Sequence, residues 1–121
     1  MVIRGHQRRY KTPNPELTII DRSGMAWRSD LKTPDPSAYK SIQGGIRNSF
    51  RSARDQSLTH LVIDIIGNES LDDIADGLGK AFALNAQIQR VIVLRKGQAV
   101  EMTRGKYLRG KLQKELKRGL Q

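Results

Sequence analysis

Asp21, Asp30 and Lys32 fall within one stretch, Ile19 to Pro34 (IIDRSGMAWRSDLKTP), that reads as two short strands around a tight turn. Side chains two apart on a strand point the same way, so Asp30 and Lys32 share a face, and the hairpin is expected to bring Asp21 alongside from the neighbouring strand. Two carboxylates offer hard oxygen ligands to a divalent cation. An ammonium beside them can hold a phosphate, or stabilise the charge that develops as water attacks phosphorus. The set is the minimum for metal-assisted phosphodiester hydrolysis, with Asp21 and Asp30 as ligands to Mg²⁺ or Zn²⁺ and Lys32 at the phosphate.

Spacing alone decides little. With 12 acidic and 22 basic residues in a chain of 121, about two acid-x-Lys/Arg matches are expected by chance. A second match, Glu115 with Lys117, lies where the chain is expected to be helical. Residues two apart diverge there, so that match has no site reading.

The elements that must position these residues follow from periodicity. Residues 1–16 hold two prolines, several basic groups and no apolar repeat, which predicts a basic, flexible arm. The folded domain is then expected over 17–121. LTIID and MAWRSDLK read as strands, ended by TPDP. Asp35 and Pro36 supply an N-cap and first turn, and Tyr39, Ile42, Ile46, Phe50 and Ala53 recur at helical steps. Gly44 and Gly45 interrupt that helix at a cost of about 1 kcal/mol each relative to alanine, and signal close approach of another backbone.

LTHLVIDIIG is apolar on both faces, as a covered central strand must be. Ser70 with Asp73 caps a second amphipathic helix carrying Leu71, Ile74, Ala75, Leu78 and Phe82. QRVIVLR and QAVEMT read as two further strands around a KG turn. Leu108, Leu112 and Leu116, spaced four apart among basic residues, predict a basic C-terminal helix. Strands alternating with helices give an α/β domain with a mixed β-sheet flanked by helices.

The net charge of +10 sits at the two ends. Residues 1–11 carry four basic and no acidic groups, and 104–121 seven basic and one acidic, which leaves the middle neutral. Such ends fit a polyanion, because each phosphate contact releases counterions. Lys40, Arg47, Arg51 and Arg54 form a second stripe beside the apolar face of the first helix, and Arg104, Lys106, Arg109 and Lys111 begin the basic C-terminal segment. All eight are candidate nucleic-acid contacts. The chain has no cysteine, which excludes disulfides and thiolate metal sites, and no apolar run reaches the roughly 20 residues of a membrane span, so no stable membrane insertion is expected.

Taken together, IID, the turn, WRSDLKTP, a capped helix containing IQGGIR, HLVIDIIG and RVIVLRKGQAVEMT resemble the C-terminal nuclease domains of contact-dependent growth inhibition toxins. The resemblance is to those related to the PD-(D/E)XK superfamily, and it covers residues 17–103. It implies a PD-(D/E)XK (restriction-endonuclease-like) core in a single nuclease domain. In that superfamily an acidic residue on one core strand and an acid-x-lysine on the next bind the metal, which maps onto Asp21, Asp30 and Lys32. A helix glutamine and arginine often follow, matched by Gln43 and Arg47. Members usually carry a further acidic ligand upstream, where this chain has only Glu16.

The resemblance further implies cleavage of tRNA ahead of DNA and an acidic cognate immunity protein. It also implies delivery from a bacterial cell surface and action in the target-cell cytoplasm. Two other functions fit the same charge. One is a metal-independent ribonuclease of the barnase and colicin type, drawing on His60, Glu101, Thr103 and Arg104. The other is a non-catalytic nucleic-acid-binding module. His60 also reads as a structural histidine, and Trp27, facing away from Asp30, as core or as a stacking platform.

Overall fold

A computed structural model of the chain describes residues 2–6, 16–20 and 22–120. Its six strands lie side by side in chain order: β1 (Val2–His6), β2 (Glu16–Ile20), β3 (Ala26–Lys32), β4 (His60–Asp64), β5 (Arg90–Arg95) and β6 (Gln98–Thr103). The first three form an antiparallel meander, β3, β4 and β5 run parallel, and β6 turns back antiparallel. Parallel neighbours need crossovers. These are α2 (Ile42–Asp55), preceded by the single turn α1 (Pro36–Tyr39), and α3 (Leu71–Leu84). The chain closes with α4 (Arg104–Leu108) and α5 (Leu112–Gly119). The α/β class and the mixed sheet with flanking helices are as the sequence predicts.

The main core lies on one face of the sheet. Leu61 and Ile63 of β4, Val91 and Val93 of β5 and Met102 of β6 pack there against Ile46 and Phe50 of α2, Leu78 and Phe82 of α3, and Leu116 of α5. Phe50 and Phe82 meet edge to face at 5.1 Å, an arrangement their ring quadrupoles favour. The alternate residues Leu17, Ile19, Val62 and Ile92, with Leu31 and Leu94, form a smaller cluster on the other face. Strands β4 and β5 are therefore apolar on both sides, which explains their continuous apolar runs.

Three boundaries differ from expectation. Val2–His6, inside the expected arm, pairs with β2 as an edge strand, and β2 itself begins at Glu16; residues 7–15 lie outside the described residues. The first helix is two. Lys40 takes a left-handed φ of 63°, and the Ser41 hydroxyl starts α2 afresh by accepting from the Gly44 N–H at 3.0 Å. Tyr39, expected on the buried stripe, is consequently 43% exposed. Gly110, at φ 67°, likewise splits the C-terminal helix, so Leu112, Leu116 and Leu120 are buried while Leu108 is 73% exposed. The segment expected as one basic C-terminal helix carries core.

Candidate functional site

Strand β3 presents Asp30 and Lys32 to the helix-bearing face, because they stand in register with Leu61 and Ile63 of the parallel neighbour β4. Trp27, Ser29 and Leu31 alternate to the other side. Lys32 Nζ lies 3.5 Å from Asp30 Oδ2, and the two residues are only 5% and 6% exposed. Removing two opposite charges from water costs several kcal/mol per ion, which their attraction offsets only in part. The expected acid-x-lysine pair therefore exists, and it is buried.

Asp21 lies outside the described residues. The strand before it ends at Ile20, opposite Ala26, four residues or about 13 Å along β3 from Asp30. The register is set by the turn through Gly24, whose φ of 86° suits glycine. It puts Glu16, and not the end of β2, directly opposite Asp30. Glu16, one of the few acids upstream of the turn, was therefore undervalued in the sequence, because strand register is invisible to residue spacing.

Gln43 is set at the contact between α2 and α3, donating from Nε2 to Asp73 Oδ1 at 3.3 Å. Gly77 of α3 permits that approach, since a Cβ there would lie 2.9 Å from the Gln43 Cα. The described contacts of Gln43 thus do not join it to Asp30 and Lys32.

The basic candidates divide. Arg47, Arg51 and Arg54 line one groove of about 430 Å³ with Tyr39 and with Asn85 at the end of α3. Lys40 is exposed at the α1–α2 break, and Arg109 and Lys111 are exposed beside Gly110. Arg104 is different: its guanidinium donates to the carbonyls of Ile88 (2.9 Å), Phe82 (3.0 Å) and Asn85 (2.6 Å) and lies 5.3 Å above the Phe82 ring. It closes the C-terminal end of α3, where carbonyls lack helical partners and the dipole is negative. Lys106 donates to the Glu101 carbonyl at 2.8 Å and pairs with Glu115 at 3.7 Å. Both were expected to meet nucleic acid; both hold the fold.

On the opposite sheet face, His60 of β4, Arg90 of β5 and Thr103 of β6 occupy one register row. His60 is buried, shares a 2.8 Å hydrogen bond between Nδ1 and Thr59 Oγ1, and stacks on Trp27 with centroids 4.5 Å apart. Arg90 Nε is 3.5 Å from Glu101 Oε1. The Thr103 hydroxyl accepts from the Lys106 N–H at 3.2 Å as the cap of α4. Trp27, His60, Arg90 and Thr103 line a cavity of about 400 Å³.

Among the described residues, no three His, Asp or Glu side chains converge as a ready metal cluster. The oxygen donor at Asp30 and the acidic register position at Glu16 suit a hard cation such as Mg²⁺ better than Zn²⁺, since no histidine or cysteine belongs to this set. Compared with protein-family models, with curated proteins and with solved structures, the chain matches none. No helix among the described residues is long and apolar enough to cross a membrane.

Proposed function

We propose that the chain is the nuclease domain of a toxin and hydrolyses phosphodiester bonds of nucleic acid, with Asp30 and Lys32 as its working residues and Glu16 as the second carboxylate. The observation that carries this reading is the buried ion pair of Lys32 and Asp30 at the register position opposite Glu16. A buried acid-lysine pair is a costly arrangement for a fold to keep, and this one falls on the acid-x-lysine of β3. An acidic position on β2 followed by acid-x-lysine on β3 fits the PD-(D/E)XK pattern. The antiparallel hairpin leading through a helix to a parallel strand supports the same core.

The chemistry assigned to these residues is simple. Asp30 and Glu16 would hold a divalent cation, which when bound polarises the phosphoryl oxygens and favours deprotonated water. Lys32 donates to a non-bridging phosphate oxygen and offsets the negative charge that grows as the water oxygen bonds to phosphorus and the ester oxygen leaves. The further parts of the reading are tRNA before DNA as substrate, an acidic immunity protein as inhibitor, and delivery from a bacterial cell surface into a target-cell cytoplasm. They rest on the resemblance and on the charge of +10, which an acidic inhibitor would complement.

A second reading, metal-independent ribonuclease action, is favoured by the row of His60, Arg90 and Thr103 beside Trp27, with Glu101 paired to Arg90. One experiment separates the two: total RNA and plasmid DNA are incubated with the protein in Mg²⁺ or in excess chelator. The leading reading expects cleavage only with the cation, abolished in Glu16→Gln. Cleavage of RNA in chelator, lost in His60→Ala, would replace it with the second reading. Tight binding without any cleavage would leave a nucleic-acid-binding module.

A further inference from the structure

We propose that the groove between α1, α2 and the C-terminal end of α3 is a subsite for an unpaired nucleic-acid strand, with its phosphates on Arg47, Arg51 and Arg54 and a base stacked on Tyr39. It deepens the nuclease reading above, on which it rests, by assigning single-stranded segments as the part of the substrate that is gripped.

Four observations converge. First, the three arginines follow one another at steps of four and three residues along α2, or ~6 Å and ~4.5 Å of helical rise. A row at that pitch can follow successive phosphates of one extended strand, and no acidic side chain lines the groove among the described residues. The exposed pair of Arg54 with Asp55 at its end, 3.3 Å apart, is one a phosphate can compete with. Arg51 is already oriented, its Nη2 donating to Asn48 Oδ1 at 2.8 Å. Second, Tyr39 stands in the same groove as an exposed aromatic, which offers any base a π-face without reading its sequence.

Third, Tyr39 is held firmly. The left-handed turn at Lys40 ends α1 just behind it, and Gly44 lets its backbone lie against α2: a Cβ on Gly44 would be 2.7 Å from the Tyr39 carbonyl oxygen. The helix-weakening Gly44 thus has a positional reason. Fourth, Asn85 at the groove wall is 3% exposed, and its Oδ1 has no hydrogen-bond partner although its Nδ2 donates to the Ala81 carbonyl. An unmet buried acceptor is costly. A nucleotide base supplies a donor for it in an exocyclic amine or, in thymine, the N3–H. The volume of about 430 Å³ suits roughly one nucleotide unit.

The test uses fluorescence anisotropy of the whole chain in chelator, with a labelled oligothymidylate and with a duplex of the same length. DNA probes remain intact under either cleavage chemistry. The single strand is expected to bind more tightly than the duplex. Tyr39→Ala should weaken it about 10-fold while Tyr39→Phe keeps it within about twofold, since the ring and not the hydroxyl stacks. Arg47→Gln with Arg51→Gln should weaken it far more than Arg109→Gln with Lys111→Gln, which removes the same charge elsewhere. Equal binding by wild type and Tyr39→Ala, a preference for duplex, or equal loss in the two charge-matched pairs would each overturn the proposal. Thermal melts of all variants check folding. The two readings fail separately: groove variants that lose the strand in a protein that never cleaves would retain this subsite and retire the nuclease. Normal cleavage with an unaffected groove variant would do the reverse.

Discussion

Helices α2 and α4 carry similar basic residues and use them in opposite ways. On α2, Arg47, Arg51 and Arg54 line an open groove with an exposed aromatic. On α4, Arg104 and Lys106 donate to four backbone carbonyls between them. The difference comes from what lies within reach. The end of α3 leaves carbonyls that no helix turn satisfies, and a guanidinium with five donors meets several at once. Along α2 the cations meet side chains of their own helix instead, Arg51 donating to Asn48 and Arg54 pairing with Asp55. Positive charge in a sequence is therefore of two kinds, and only hydrogen-bond partners distinguish them. The buried pair on β3 is a third case, with charge neither in solvent nor at a helix end.

The β3 pair gives the largest expected effect. Asp30→Asn should cost about 3–5 kcal/mol, because it removes the carboxylate 3.5 Å from a buried ammonium. Replacing both at once, Asp30→Leu with Lys32→Met, should recover most of that stability while cleavage stays abolished. Urea unfolding beside a cleavage assay measures both. Cleavage by the stable double variant would remove the pair from the mechanism.

Arg104→Ala comes next. Loss of charged hydrogen bonds to three carbonyls should destabilise by about 3 kcal/mol or more, read as a fall in melting temperature of roughly 10 °C. A near-wild-type melt would erase the contrast between the two helices.

The matching change on α2 should leave the melt alone. Arg47, Arg51 and Arg54 changed together to glutamine should lower affinity for nucleic acid at every sequence and reduce the slope of log K against log salt by about 2 to 3. An unchanged slope would make this stripe a solvated face.

The smallest effect is at the α3–α5 contact. Asp72 accepts from Gln113 and sits 3.4 Å from Lys117, and these hold its carboxyl below the usual carboxylate range, the Gln113 hydrogen bond contributing most. A carboxyl lowered in the folded state favours folding above its unfolded pKa, and that contribution is lost as pH falls through the folded value. Gln113→Ala should therefore change stability only slightly at neutral pH, and the difference from wild type should vanish in strong acid. A difference that grows with acid would refute the assignment.

Much of this was legible in the chain. The apolar runs of β4 and β5, the Ser70 cap of α3 and the acid-x-lysine of β3 follow from local periodicity and side-chain chemistry, which depend on residues a few positions apart. The Gly44–Gly45 pair also announced a close backbone approach, and both glycines do meet one: Gly44 at Tyr39 and Gly45 at Pro34.

Tertiary structure alone decided the rest. Strand register, fixed by the turn at Gly24, put Glu16 across from Asp30, and no spacing rule contains that information. A left-handed Lys40 turned one helical pattern into two helices and carried Tyr39 from the expected core into a groove. The burial of Asp30 and Lys32 depends on β4 and α2, more than ten residues downstream. The employment of Arg104 depends on where α3 ends, some twenty residues earlier in the chain. Local sequence sets which elements form, because helix and strand preferences are short-range. Which charges those elements bury, pair or leave to a ligand is set by contacts between residues far apart in the chain, and these exist only once the sheet and its helices have packed.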